Sequence, residues 1–177
     1  MKKPSMSELL QLLDKPALLK WANKQGLAGI NIGVRKRKDT SEGTSIHSKI
    51  ERFIKHGEQF EEQENFIKFI SDKEILGIEQ DIETEYFKGR YDLKIKWNEK
   101  IYMVDYKKSA KRVYLENKLQ LVGYGLAENC NDYMIVSIPD FTVFPVEIAN
   151  KEPYIEILKS LSNIYTQKQI IESYGTI

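Results

Sequence analysis

The stretch from Gly89 to Lys107 constrains the fold more than any other part of the chain. Residues 92–97 (Asp-Leu-Lys-Ile-Lys-Trp) alternate with period two, and residues 101–106 (Ile-Tyr-Met-Val-Asp-Tyr) form a second strand-like run. Asn98-Glu99 between them reads as a tight turn, so the unit is a β-hairpin. With those two residues as the loop, Trp97 faces Lys100 and the count runs back to set Asp92 opposite Asp105. Opposed residues on paired strands share a face, with Cβ atoms roughly 4.5–5.5 Å apart. Lys107, two residues beyond Asp105, points to that same face.

Two carboxylates that close repel each other unless a cation sits between them, and carboxylate oxygens are the ligands that Mg²⁺ or Mn²⁺ takes. An ion held by Asp92 and Asp105 lowers the pKa of a bound water and neutralises charge building up on a scissile phosphate. The ammonium of Lys107 could position or deprotonate that water, or stabilise the transition state. The chemistry such a face supports is phosphodiester hydrolysis.

The rest of the chain reads as helices around more strands. Ser7 is the expected N-cap of a helix over about 8–25, with Leu9, Leu12, Leu13 and Trp21 as its apolar positions and Pro16 as a break point. A loop follows over 26–43. Helices are expected over about 44–56, with Ile46, Ile50, Phe53 and Ile54 inward, and over 59–71. Strands come near 77–87, 90–97 and 101–107, then a helix over 113–129, strands near 132–138 and 142–148, and a helix over 152–173. The order is a mixed sheet flanked by helices, an α+β chain. With 177 residues, 41% of them hydrophobic, one compact domain over 1–177 is expected, with an N-terminal helical part to about residue 71.

Composition excludes several classes. A single cysteine, Cys130, rules out a disulfide framework within the chain. No run approaches the roughly 18 apolar residues of a membrane span, and the N-terminus lacks a secretory apolar region, so a soluble cytoplasmic protein is expected. Net charge is only +1, but the basic residues cluster: Arg35-Lys36-Arg37-Lys38, then Lys107, Lys108, Lys111 and Arg112, with Glu58, Glu61, Glu62 and Glu64 balancing them elsewhere. Such patches neutralise phosphates, although taken alone they also read as solvated faces.

These residues carry a resemblance. Gly89-x-x-Asp92, a hydrophobic strand ending in Asp105-x-Lys107-x-Ser109, and Gln120 with Tyr124 inside Gln-Leu-Val-Gly-Tyr resemble the PD-(D/E)XK nuclease superfamily, its RecB-like branch most closely. Gly43-Thr-Ser-Ile-His47-Ser-Lys-Ile-Glu51 fits the upstream helix motif of that branch, and Lys15 to Gly26 is similar to the opening of phage exonucleases and of the mitochondrial genome maintenance exonuclease. The resemblance spans roughly residues 5–146 in the family's order.

It implies a restriction-endonuclease-like core with His47, Asp92 and Asp105 as ligands of Mg²⁺ or Mn²⁺, the carbonyl of Tyr106 as an additional ligand, and Lys107 as the catalytic lysine. Glu51, one turn after His47, could reach the metal or a bound water. Gln120 and Tyr124 would support the lysine and contact the nucleic-acid backbone. An iron–sulfur cluster of the kind some relatives carry needs four cysteines and is excluded. The implied activity is a DNA nuclease, an exonuclease on single-stranded ends. Its setting would be replication, repair or recombination in a bacterial or phage-infected cell, alongside a helicase, polymerase or single-strand-binding partner. A structure-specific or nicking endonuclease, or a DNA-binding module on the same fold, stands as the alternative. The residues also have plainer readings: His47 as a hydrogen-bonded structural residue, Asp105 and Lys107 as a surface pair, Gln120 and Tyr124 as packing.

Overall fold

The computed structural model describes residues 2–13, 20, 22–24, 27–28, 46–108 and 110–174. Trp21, the loop 26–43 with its basic run Arg35 to Lys38 (save residues 27–28), and Ser109 lie outside the described residues. The chain divides into two compact units, one formed by residues 1–12 and 62–177, the other by residues 13–61.

The larger unit is built on a five-stranded sheet in the order β1 (Glu74–Glu83), β2 (Lys88–Trp97), β3 (Lys100–Lys108), β4 (Asp132–Ile138) and β5 (Thr142–Pro145). β1 to β3 pair antiparallel, β3 and β4 parallel, and β4 and β5 antiparallel. A parallel neighbour requires a crossover, and the helix Leu115–Ala127 supplies it. The mixed sheet with flanking helices is the one the sequence leads to, and it agrees with an α+β, restriction-endonuclease-like core.

The turn at Asn98-Glu99 decides the register. Both residues have positive φ, 48° and 60°, as a two-residue turn matched to the strand twist demands. Trp97 therefore pairs with Lys100, and the ladder runs from there to Leu93 opposite Val104. One residue further, β2 and β3 part.

Successive side chains on β3 serve opposite faces. Tyr106 meets Phe141 at a ring-centroid distance of 6.2 Å, and Phe141 in turn packs at 5.5 and 6.1 Å against Phe66 and Phe69 of the helix Gln63–Ile70. Asp105 and Lys107 face the other side, toward the crossover helix, whose Leu119, Leu121 and Val122 are fully buried. The helix Glu152–Tyr174 also belongs to this unit, and Leu158 and Leu161 are its buried residues.

At the N-terminus a helix of five residues, Met6–Leu10, is capped by Ser5, not by Ser7. Ser5 and Glu8 form a reciprocal capping box: Glu8 N–H donates to the Ser5 hydroxyl at 3.2 Å, and Ser5 N–H donates to the Glu8 carboxylate at 2.7 Å. The smaller unit contains a helix over the described residues 46–56, with Ile46 and Ile50 buried and Phe53 edge-on to Phe60 at 5.5 Å. In chain order we call the helices α1 (Met6–Leu10), α2 (46–56), α3 (Gln63–Ile70), α4 (Leu115–Ala127) and α5 (Glu152–Tyr174). No helix among the described residues is long and apolar enough to cross a membrane.

Candidate metal centre

Where β2 and β3 part, the side chain of Asp92 takes over from the ladder. Its Oδ2 accepts the backbone N–H of Tyr106 at 2.7 Å, tying the strands together just beyond the last pair, Leu93 and Val104. This orients the Asp92 carboxylate at a buried position, 8% exposed, beside the more deeply buried Asp105 at 2%. Continuing the register sets the two opposite each other, as the turn predicts.

A third carboxylate completes a row across three adjacent strands. On β1, Ile78 pairs with Leu93 and Gln80 with Tyr91, so the residue between them, Glu79, stands opposite Asp92. Glu79 adopts a positive φ of 44°, uncommon for a residue with a side chain. A carboxylate oxygen of Glu79 lies within 4.8 Å of one of Asp92. Sequence reasoning misses Glu79. The signal lies in the β1–β2 connection: Glu83 pairs with Lys88, and counting back from there reaches Glu79 and Asp92. The obstacle is the register shift between Ile75 and Gly77, which breaks the alternation by which β1 would be read.

Lys107 answers this row. Its Nζ donates to Asp105 Oδ1 at 2.8 Å and lies 2.7 Å from Oδ2, so both carboxylate oxygens hold it. From α4, Gln120 Oε1 accepts from the same nitrogen at 3.4 Å. Burial pushes the Lys107 ammonium down, but Asp105 and then Asp92 more than offset it, and the group ends above the ordinary lysine value.

Tyr124, one turn after Gln120, is buried at 5% exposure. Burial raises its hydroxyl well above the ordinary range, Asp92 and Asp105 add to the rise, and hydrogen bonds to Gln120 and the main chain of Arg90 pull the other way. The phenol therefore stays protonated. Its ring lies against the backbone of Gly89: a Cβ there would stand 2.7 Å from Tyr124 Cε1. Gly89 is thus the residue that lets the ring reach its place.

Tyr106 meets Asp92 through its N–H, and its side chain is buried on the opposite face. Lys108, the last residue of β3, and Lys111 and Arg112 beyond it are exposed. His47 and Glu51 lie on α2, in the smaller unit, where Glu51 accepts from Lys55 at 2.7 Å across one helical turn.

The donor set fits a hard divalent cation. Glu79, Asp92 and Asp105 offer oxygen atoms from three neighbouring strands, and Asp105 and Asp92 are set against the ammonium of Lys107. Buried carboxylates of like charge need a cation among them, and oxygen donors suit Mg²⁺ and Mn²⁺.

No family model and no curated protein matches the sequence. Among solved structures, the chain is similar to one described as the crystal structure of SSO0001, at 16% identity, over 90% of this chain and 75% of that one, with a TM-score of 0.48. Nothing about the chemistry follows from a likeness of that degree.

Proposed function

We propose that the protein is a metal-dependent nuclease that hydrolyses phosphodiester bonds of DNA, acting on single-stranded ends. The observation that carries this reading is the opposition of buried Asp92 and Asp105 on one hairpin, with Lys107 held by both oxygens of Asp105. A structural ion pair would need one carboxylate for one lysine.

Asp92, Asp105 and Glu79 would hold the cation. Bound there, Mg²⁺ or Mn²⁺ supplies Lewis-acid activation of water and neutralises charge on the phosphate. The chain's own groups do the rest. The N–H of Tyr106 fixes the Asp92 carboxylate so that one oxygen stays directed at the site. Asp105 and Gln120 hold the Lys107 ammonium at the carboxylate row, where it can donate to a phosphate oxygen or to the attacking water. Tyr124, fixed against Gly89, backs Gln120. His47 as a further ligand, Glu51 as its neighbour and the carbonyl of Tyr106 enter this proposal from the sequence motif. So do the preference for a free end and the role of Arg35, Lys36, Arg37 and Lys38.

The test is cleavage of end-labelled single-stranded DNA with Mg²⁺ or Mn²⁺, with closed single-stranded circles as the comparison. Progressive degradation of linear strands and resistance of circles is the expected result. Rapid cutting of circles would leave a nuclease but turn it into an endonuclease. A purified protein that binds these strands tightly and cuts none of them in Mn²⁺ defeats the catalytic reading.

A further inference from the structure

Between β3 and α4 the chain carries a feature that the proposed chemistry does not use. Arg112 lays its guanidinium 4.6 Å from the ring centroid of Tyr114, yet Tyr114 remains 48% exposed and Leu115 beside it 49%. The half-exposed ring presents a face to solvent, and its side chain does not cap the helix. The backbone N–H of Tyr114 donates to Asn117 Oδ1 at 3.0 Å, so the Asn117 side chain serves this end of the helix through the main chain of Tyr114.

The position of the ring is informative. Tyr114 precedes α4, whose Gln120 accepts from Lys107, and six residues of helix place the two about 9 Å apart along the axis. Lys108 at the end of β3 and Lys111 and Arg112 beyond it, all exposed, lead from the Lys107 strand to this ring. A cation over one face of an aromatic ring stiffens it and leaves the other face for a second planar group. Aromatic rings beside a positive path are how proteins hold single-stranded nucleic acid: the base stacks, the phosphate pairs with the cations, and sequence matters little.

We propose that Tyr114, backed by Arg112, is a stacking platform for an unpaired base of a single strand whose neighbouring phosphate reaches the carboxylate row. The inference rests on the nuclease reading and deepens it, because a base inside a duplex is already stacked and cannot use the platform. The site would thus favour single strands through the base and not only through charge.

The experiment measures fluorescence anisotropy of a labelled single-stranded oligonucleotide with the full chain, Ca²⁺ replacing Mg²⁺ so that the strand stays whole. Tyr114→Ala should weaken binding roughly 5- to 150-fold, the range of one base stacked on an aromatic ring. Tyr114→Phe and Tyr114→Trp should bind like the wild type. A duplex of equal charge should bind all four proteins alike. Arg112→Ala should lower the slope of binding against salt by about 0.7, whereas Tyr114→Ala should leave that slope unchanged. Wild type that binds single strands while Tyr114→Ala binds them equally well overturns the platform and leaves the nuclease reading standing. Equal losses for Tyr114→Ala and Tyr114→Phe would point to the hydroxyl and overturn stacking. Wild type that binds no single strand at all removes the nuclease reading, and the platform with it.

Discussion

Two ion pairs stand close together on this sheet, and they differ in everything except charge. Asp81 on β1 receives Arg90 of β2 through two parallel hydrogen bonds of 2.8 and 2.9 Å, with side chains 74% and 52% exposed. Asp105 receives Lys107 at 2.7 Å, with side chains 3% and 34% exposed. By geometry alone the Arg90 pair is the better made, a planar fork on a carboxylate. Water competes with it from all sides, however, and pairs of this kind contribute about 0–1 kcal/mol. The Asp105 pair sits where desolvation costs several kcal/mol per ion, and a second buried carboxylate, Asp92, stands beside it. A fold optimised only for stability would not put two carboxylates there. On the proposed reading, the site lies where the electrostatics are most costly, not where the contacts are most regular.

The largest effects should come from breaking the buried pair in two different ways. Lys107→Ala should reduce cleavage by about 10²- to 10⁴-fold. In metal-free buffer it should also destabilise the fold by about 3–5 kcal/mol in urea unfolding, because it leaves buried Asp105 without that ammonium. Asp105→Asn should lose cleavage as well, yet cost little stability or raise it, because it removes one of two neighbouring like charges. Adding Mn²⁺ should stabilise the wild type by about 2.7 kcal/mol at a hundred times its dissociation constant, and leave Asp105→Asn unmoved. Equal destabilisation by both substitutions, with no response to metal in either protein, would make the pair structural and bring it level with Asp81 and Arg90.

A middle-sized effect should follow from Gly89, one residue before Arg90. Gly89→Ala places a Cβ 2.7 Å from the Tyr124 ring, an overpacking that costs about 1–3 kcal/mol. If the ring matters because it backs Gln120, and through it Lys107, cleavage should fall as well. In a Tyr124→Ala background the same change should then cost much less, since the clash is gone. Strictly additive losses in stability and cleavage would show that Gly89 acts through something other than Tyr124.

What is legible in the sequence follows from where local rules act alone. The hairpin is readable because turn and alternation agree: Asn98 and Glu99 take the positive φ values that their turn requires, and the register follows from them. Turn and alternation alone therefore bring Asp92, Asp105 and Lys107 to one face, and the motif spacing adds Gln120. The sequence starts β1 too late, at 77, and runs it on to 87, whereas Thr84 to Phe87 is a turn in which the Thr84 hydroxyl accepts the N–H groups of Tyr86 and Phe87 at 3.2 and 3.1 Å. Glu79 stays hidden because β1 alternates irregularly: Glu79 itself takes a positive φ, and the register shifts between Ile75 and Gly77. β5 ends at Pro145, short of the expected 148. The N-cap falls on Ser5 and not on Ser7 because Glu8, three residues after Ser5, completes a capping box that Ser7 has no partner for at Leu10.

That capping box gives a smaller, pH-dependent effect. The N–H of Ser5, then its hydroxyl, hold the Glu8 carboxyl down to about 2 against a weak push upward from burial, with Tyr165 and Lys2 assisting. A carboxyl depressed in the folded state stabilises the fold above its unfolded value near 4.5, and that stability is lost as pH falls toward 2. Glu8→Gln should cost about 1 kcal/mol at pH 7 and flatten the acid arm of a stability profile between about pH 5 and 2. An unchanged acid arm would show that Glu8 titrates alike in both states.

The smallest effect is the control on the whole comparison. Arg90→Ala and Asp81→Ala should each shift unfolding by less than about 1 kcal/mol, and the double substitution should show a coupling of similar size. Raising salt should remove even that, since both groups stand in solvent and are screened within about 10 Å at 0.1 M. Arg90 is nonetheless tied to the site, because its main chain is a partner of the Tyr124 hydroxyl while its side chain turns away to Asp81. Arg90→Ala keeps that main chain, so cleavage should stay within about twofold of wild type. A large loss of cleavage with little loss of stability would mean that the Arg90 side chain leaves Asp81 to meet a phosphate. The exposed pair would then belong to the same binding path as Lys108, Lys111 and Arg112, and the contrast between a costly functional pair and an inexpensive surface pair would fail at this strand.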